Sequence, residues 1–249
     1  MTSPEQDGFA YRFCWGAEGL AALAPHVAVV VIVDVLRFTS AVSAAIESGA
    51  TVVPTRWADD GAAAEAERRG AILAGRREDS GPSLSPTDLL TIRAGTCIVL
   101  PSPNGATLSA RAAELGVPVV LAGCLRNATA TARRTREAAA GAPIGVVAGG
   151  ERWGDGPLRH AVEDLLGAGA VLAALDPSAA ASPPCCSPDA AAARAAFVAA
   201  RPMILEHLLA STSGRELASF GFSDDVHTSA VVDATDLAAQ LVDGAFVGM

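Results

Sequence analysis

The chain has no lysine: all 18 basic residues are arginines, set against 27 acids in 249 residues. This excludes a Walker-type phosphate lysine, a Schiff base and a lysine general base. Aromatic residues are only 4 % of the chain and histidines number four. Neither His160 nor His207 lies in a metal or triad spacing. The five cysteines (Cys14, Cys97, Cys124, Cys185, Cys186) form no C-x-x-C pair, and none has an arginine six residues later, so the cysteine-phosphatase loop is excluded. Asp34-Val35-Leu36 lacks the second acid of a D-x-D aspartyl-phosphate motif, and G-x-S-x-G, H-E-x-x-H and G-x-G-x-x-G are all missing.

Other absences bear on location and partners. The opening segment MTSPEQDGFAYR is polar and acidic, unlike a signal peptide. With an odd cysteine count, it predicts reduced thiols and a cytoplasmic protein. The longest apolar runs, near Val27–Val33 and Ala168–Leu175, are too short to span a bilayer, so no membrane association is expected. A net charge of −9 argues against nucleic acid as a partner.

What is present starts with Val27–Gly49, VAVVVIVDVLRFTSAVSAAIESG. Its β-branched run reads as a strand buried on both faces, and Thr39 and Ser40 can cap the helix that follows, with Gly49 closing it. Asp34 and Arg37 then stand at the carboxyl end of a strand above a helix N-terminus, where open α/β sheets bind anions. Locally, a site and a loop ion pair tying strand to helix are both open readings. Further strands are predicted at Thr51–Thr55, Ala71–Gly75, Thr96–Leu100, Val117–Leu121 and Ile144–Ala148, with helices between them. The alternation predicts a three-layer α/β/α fold with a largely parallel or mixed central sheet. Residues 1–175 form the main region, 176–188 a Pro/Ala/Ser-rich linker, and 189–249 a C-terminal region. In that last region a helix over Ala190–Ala210 is kinked near Pro202, and a strand returns around Ser229–Asp233.

One arrangement recurs: a strand, a polar residue, then a helix rich in Ala, Ser and Thr. It occurs at Asp34/Arg37/Thr39, at Asn104-Gly105-Ala106-Thr107, at Asn127-Ala128-Thr129 and at Gly149-Gly150-Glu151. If these strands are adjacent and parallel, Glu151 faces the same crevice as Asp34. Gathered acids without paired cysteines favour a hard cation such as Mg²⁺ over Zn²⁺. Arg37, Arg76, Arg77 and Arg152 could fork a phosphate, carboxylate or sulfonate. For the consecutive acids Glu163 and Asp164, a solvated helix face is the favoured reading from the residues alone.

In order along the chain, VDVLRFTSAVSAAIESGA, SPNGAT, GCLRNATA, GGERWGDGPLRHAVEDLLGAGAVL and SGRELASFGFSDDVHTSAVVD resemble motifs of the 2-phosphosulfolactate phosphatase family. The resemblance covers about Val27 to Asp236. It implies a Mg²⁺-dependent hydrolase acting on a small anionic phosphate monoester, 2-phosphosulfolactate, on the route to coenzyme M. Carried over by position, it implies catalytic roles for Asp34, Arg37 and Glu151, and metal ligands among Asp34, Glu151, Glu163 and Asp164. Substrate contacts fall to Arg77, Asn104, Gly105, Thr107 and Asn127. Self-association into a homo-oligomer is left open. One segment departs from the family: GRREDSGPSLSP keeps Gly75, Arg77 and Ser85-Pro86 but is shortened and lacks the Gly-Phe-Asp and the asparagine. That leaves open a different phospho-carboxylate as substrate, a noncatalytic anion-binding homologue, or a lyase or isomerase on the same scaffold.

Overall fold

The side chains of Val29–Val33 are all buried. Five β-branched residues without polar alternation are satisfied by a strand covered on both faces. The computed structural model, which describes residues 6–56, 59–75, 81–154, 156–177 and 185–249, has this arrangement. Val29, Val31 and Val33 join one apolar cluster, while Val30 and Ile32 join another. Full burial of each such side chain contributes roughly 1.5–3 kcal/mol.

In chain order the elements begin β1 (Tyr11–Trp15), α1 (Gly16–Leu23), β2 (Val29–Val33), α2 (Phe38–Glu47), β3 (Thr51–Thr55) and α3 (Asp60–Arg69). There follow β4 (Ile72–Leu73), α4 (Pro86–Leu89), β5 (Cys97–Pro101), α5 (Gly105–Glu114), β6 (Val119–Gly123), α6 (Ala128–Ala139) and β7 (Ile144–Ala148). A small hairpin, β8 (Glu151–Arg152) and β9 (Leu158–Arg159), precedes α7 (Val162–Leu175). The last part holds α8 (Pro188–Ala200), α9 (Ile204–Ala210), α10 (Thr212–Ser219), α11 (Ser223–Ala230), β10 (Ala239–Val242) and β11 (Ala245–Gly248).

Nine strands form one mixed sheet in the order β1-β7-β2-β6-β10-β11-β3-β5-β4. The first four are parallel, as are β3, β5 and β4. Between the two blocks sits the antiparallel hairpin β10–β11, so three antiparallel steps reverse the second block relative to the first. Helices α6, α7 and α8 cover the Val29/Val31/Val33 face, and α1 and α5 cover the Val30/Ile32 face. The three-layer α/β reading is therefore correct.

The C-terminal strand expected around Ser229–Asp233 is not there. Asp224 and Asp225 lie in the first turn of α11, where acids favour a helix start, and Ser229 and Ala230 belong to that helix. The strands lie further on, at an Asp-Gly turn: Asp243 and Gly244 both have positive φ (50° and 75°), as a two-residue hairpin of this hand requires. The strand over Ala71–Gly75 shrinks to Ile72–Leu73, and the kinked helix is two helices joined by a 3₁₀ turn at Arg201–Met203. Thr39 and Ser40 are not caps but lie inside α2. Their hydroxyls donate to the carbonyls of Asp34 and Val35 (2.8 Å each), fastening the loop to the helix it feeds. Residues 76–80, with Arg76 and Arg77, and 178–184 of the linker lie outside the described residues. All five cysteines are free. Among the described residues no helix is long and apolar enough to cross a membrane.

Candidate active site

Asp34 follows the last residue of β2 and is 4 % exposed. Its carboxylate accepts hydrogen bonds from two helix starts, the Phe38 amide of α2 (3.3 Å) and the Gly105 amide of α5 (2.8 Å). A Cβ on Gly105 would collide with the Phe38 ring and come within 2.9 Å of the Asp34 carboxylate, so only glycine allows this approach. β5 is not adjacent to β2, so the sheet alone does not unite the two loops. Packing does: Leu108 and Ala112 of α5 lie in the cluster of Val30 and Ile32, which brings the α5 N-terminus to Asp34.

Glu151 opens β8 and is partly buried. Its carboxylate accepts from the Asn104 side-chain amide at 3.0 Å. Glu163 and Asp164, in the first turn of α7, are both buried rather than on a solvated face. Asp164 accepts from the amides of Val35 (2.7 Å) and Gly150 (2.8 Å), and so pins two strand-end loops together. These acids disfavour one another's charge. Burial, then Glu151 and Glu163, push Asp34 up to about 7, against the pull of its two amides. Burial, then Asp34 and Glu163, push Asp164 up in the same direction. Burial raises Glu151 as well, opposed by Asn104 and Arg159.

Arg37 does not pair with Asp34. Its guanidinium donates to Asp225 of α11 at 2.8 Å, across 188 residues of sequence, and stacks over the Phe222 ring at 5.4 Å. Asp34, Arg37, Ser102, Asn104 and Glu151 form one wall of a cleft of about 300 Å³. The facing wall comes from the C-terminal region, with Ser213, Glu216, Leu217, Phe220 and Phe222. Leu36, Leu84 and Pro103 complete the lining. This volume is at the small end for ligand pockets. A second cavity of about 280 Å³ shares Pro103, Asn104 and Glu151 with the first and takes in Thr107 and Arg152. The Thr107 hydroxyl is buried with no hydrogen-bond partner among the described residues.

The structure thus brings Asp34, Arg37, Asn104 and Glu151 to one cleft, with the Gly105 amide on Asp34 and with Glu163 and Asp164 in electrostatic reach of Asp34. Asn127 is placed away from the cleft lining: it is fully buried, its carbonyl accepts from the Cys124 amide (2.9 Å), and its NH₂ donates to the Ala122 carbonyl (3.1 Å). Bonded to backbone at both ends and fully buried, it locks a turn and does not line the cleft. Thr107 lines the second cavity rather than the first, and Arg77 lies outside the described residues. His160 stacks on Trp15 (4.5 Å), away from the cleft wall. Asp225, Ser102 and Phe222 were missed as site residues. All three stand inside segments whose family likeness is legible, but only the fold shows that they meet Arg37 or the cleft.

Among the described residues no three acids, histidines or cysteines form a ready metal cage. Mg²⁺ does not need one, since it is held by one or two carboxylates with waters and substrate phosphate. The donor set fits that cation: all-oxygen ligands, and acids whose proton affinity is raised by burial and then by one another.

Comparison with known proteins gives concordant results. A model of the 2-phosphosulpholactate phosphatase family matches residues 20–244. The 2-phosphosulfolactate phosphatase of Methanothermobacter thermautotrophicus (strain Delta H) is 31 % identical over 202 residues, covering 79 % of each chain.

Proposed function

The chain belongs to the 2-phosphosulfolactate phosphatase family, and we propose that it hydrolyses 2-phosphosulfolactate, or a closely related phospho-carboxylate, to the free alcohol and phosphate. The observation that carries this reading is that two carboxylates, the buried Asp34 and the partly buried Glu151, line one small cleft with Arg37. In the proposed site Asp34 and Glu151 would hold Mg²⁺, with Glu163 in electrostatic reach of Asp34. Bound there, the ion supplies positive charge for the phosphoryl oxygens.

The chain's own groups do the rest. Arg37 forks two oxygens of the anion, and Ser102 and the α5 N-terminus orient a third. Asn104 holds one Glu151 oxygen, leaving the other to take a proton from the attacking water. Burial raises the proton affinity of Glu151 towards that task. As water attacks phosphorus, the ester P–O bond breaks and the released alkoxide takes up the proton that Glu151 removed from the water, which returns Glu151 to its carboxylate form. Asp164 acts by holding the Gly150 turn and Val35 in place. The reaction is assigned to the cytoplasm, on the route to coenzyme M.

Phosphorus NMR tests this on purified protein with 2-phosphosulfolactate and a panel of phosphomonoesters, with Mg²⁺ and with EDTA. Inorganic phosphate is expected from a sulfonated or carboxylated ester in Mg²⁺ alone. Phosphorus retained in a new organic product would identify a lyase or isomerase instead. Tight binding without turnover would identify a noncatalytic anion-binding protein.

A further inference from the structure

Asp225 is a fully buried acid from the C-terminal region, and it meets the one cleft-lining arginine among the described residues. Its Oδ2 accepts from Arg37 at 2.8 Å, and its Oδ1 accepts from the Ser85 hydroxyl. Ser85 is itself fixed as the N-cap of α4, accepting from the Asp88 amide at 3.2 Å. The Arg37 side chain is one-fifth exposed at the cleft, and Asp225 is the one hydrogen-bond partner of its guanidinium among the described residues. A guanidinium carries five N–H donors, so the remaining nitrogens stay available to a ligand while one is held. The Phe222 ring lies alongside and limits where the fork can swing.

The same ion pair could merely dock α11. Yet α11 is already held elsewhere: Thr228 shares a hydroxyl contact with Thr87 (2.9 Å), its carbonyl accepts from Arg126 (2.8 Å), and Val226 and Ala230 sit in the core. Docking does not need Asp225 to be charged, whereas aiming Arg37 does.

We infer that Asp225 is a positioning residue which, braced by Ser85, aims the Arg37 guanidinium at the anionic group of the substrate. This rests on the reading of Arg37 as the anion contact. It makes α11 and Ser85 joint determinants of anion affinity.

The test is calorimetric binding of inorganic phosphate, in Mg²⁺, to wild type, Arg37→Ala, Asp225→Asn and the double variant, with melting curves for each. Arg37→Ala is expected to weaken binding about a hundredfold and Asp225→Asn about tenfold. The double variant should be no weaker than Arg37→Ala alone, since a residue acting through Arg37 has nothing left to aim. Multiplying effects, or an Asp225→Asn protein that binds phosphate as wild type, overturns the inference. If Arg37→Ala itself binds phosphate as tightly as wild type, the site reading beneath it fails too. Should Asp225→Asn not fold, Ser85→Ala decides: about two- to threefold weakening that vanishes in the Arg37→Ala background is expected, and weakening that persists there overturns the inference.

Discussion

Asn104 and Asn127 are the chain's two asparagines, and each stands between a strand and an alanine-rich helix. One reaches into the cleft and holds Glu151; the other is sealed in its own turn. The cause is local. After β6 the chain makes a 3₁₀ turn over Leu125–Asn127, which places the asparagine carbonyl against the Cys124 amide three residues back. After β5 the chain passes through Ser102-Pro103-Asn104 without a 3₁₀ turn, and Asn104 takes up φ −99° and ψ −84° at the start of α5. The Asn104 side chain is left without a capping bond and is free to meet Glu151. Two copies of one pattern thus divide into a site and a structural lock.

Substitutions can break this comparison or sharpen it. The largest effect is expected at Gly105, where an added methyl must displace Phe38 or Asp34. Gly105→Ala should cost about 1–3 kcal/mol of stability in denaturant titrations and lower kcat/KM by about a hundredfold or more. Asn127→Ala should cost about 2 kcal/mol, because the Cys124 amide and Ala122 carbonyl lose their buried partner. Below its melting range kcat/KM should stay within about twofold of wild type; a tenfold fall would return Asn127 to the site. Asn104→Ala should do the reverse, lowering kcat/KM about tenfold while changing stability by less than about 0.5 kcal/mol.

The acids near Asn104 also have a pH signature that the Asn127 turn lacks. In EDTA the native state binds a proton at Asp34 up to about pH 7, whereas the unfolded chain releases it near 4. The native state therefore holds more protons between these values, and stability from this group is lost as pH rises from about 4 to about 7. Asp164 and Glu151 shift in the same direction and add to the effect. Melting temperatures of the EDTA-treated protein should fall across that window, and the slope should flatten in Asp34→Asn.

The sheet strands were largely legible from β-branched runs, with Ile144–Ala148 and Thr51–Thr55 matching to the residue. Gly70 closes α3 in the left-handed conformation expected of a helix-ending glycine. Asp34 and Glu151 were legible as two acids on one crevice. Other features depend on contacts distant in sequence. Nothing near Arg37 announces Asp225, and nothing in β6 announces that a C-terminal hairpin will part it from β3. The Asp-Gly hairpin turn itself was a local signal and could have been read. Asn127 shares its flanks with Asn104, and the difference between them is the 3₁₀ turn that forms only after β6.

The most direct test measures phosphate release from 2-phosphosulfolactate by wild type and by Asp34→Asn, each in Mg²⁺ and in EDTA. Wild type in Mg²⁺ is expected to turn over, with loss of activity in EDTA and at least about a thousandfold loss in Asp34→Asn. Release by folded Asp34→Asn at the wild-type rate would contradict the assignment of this cleft as the active site.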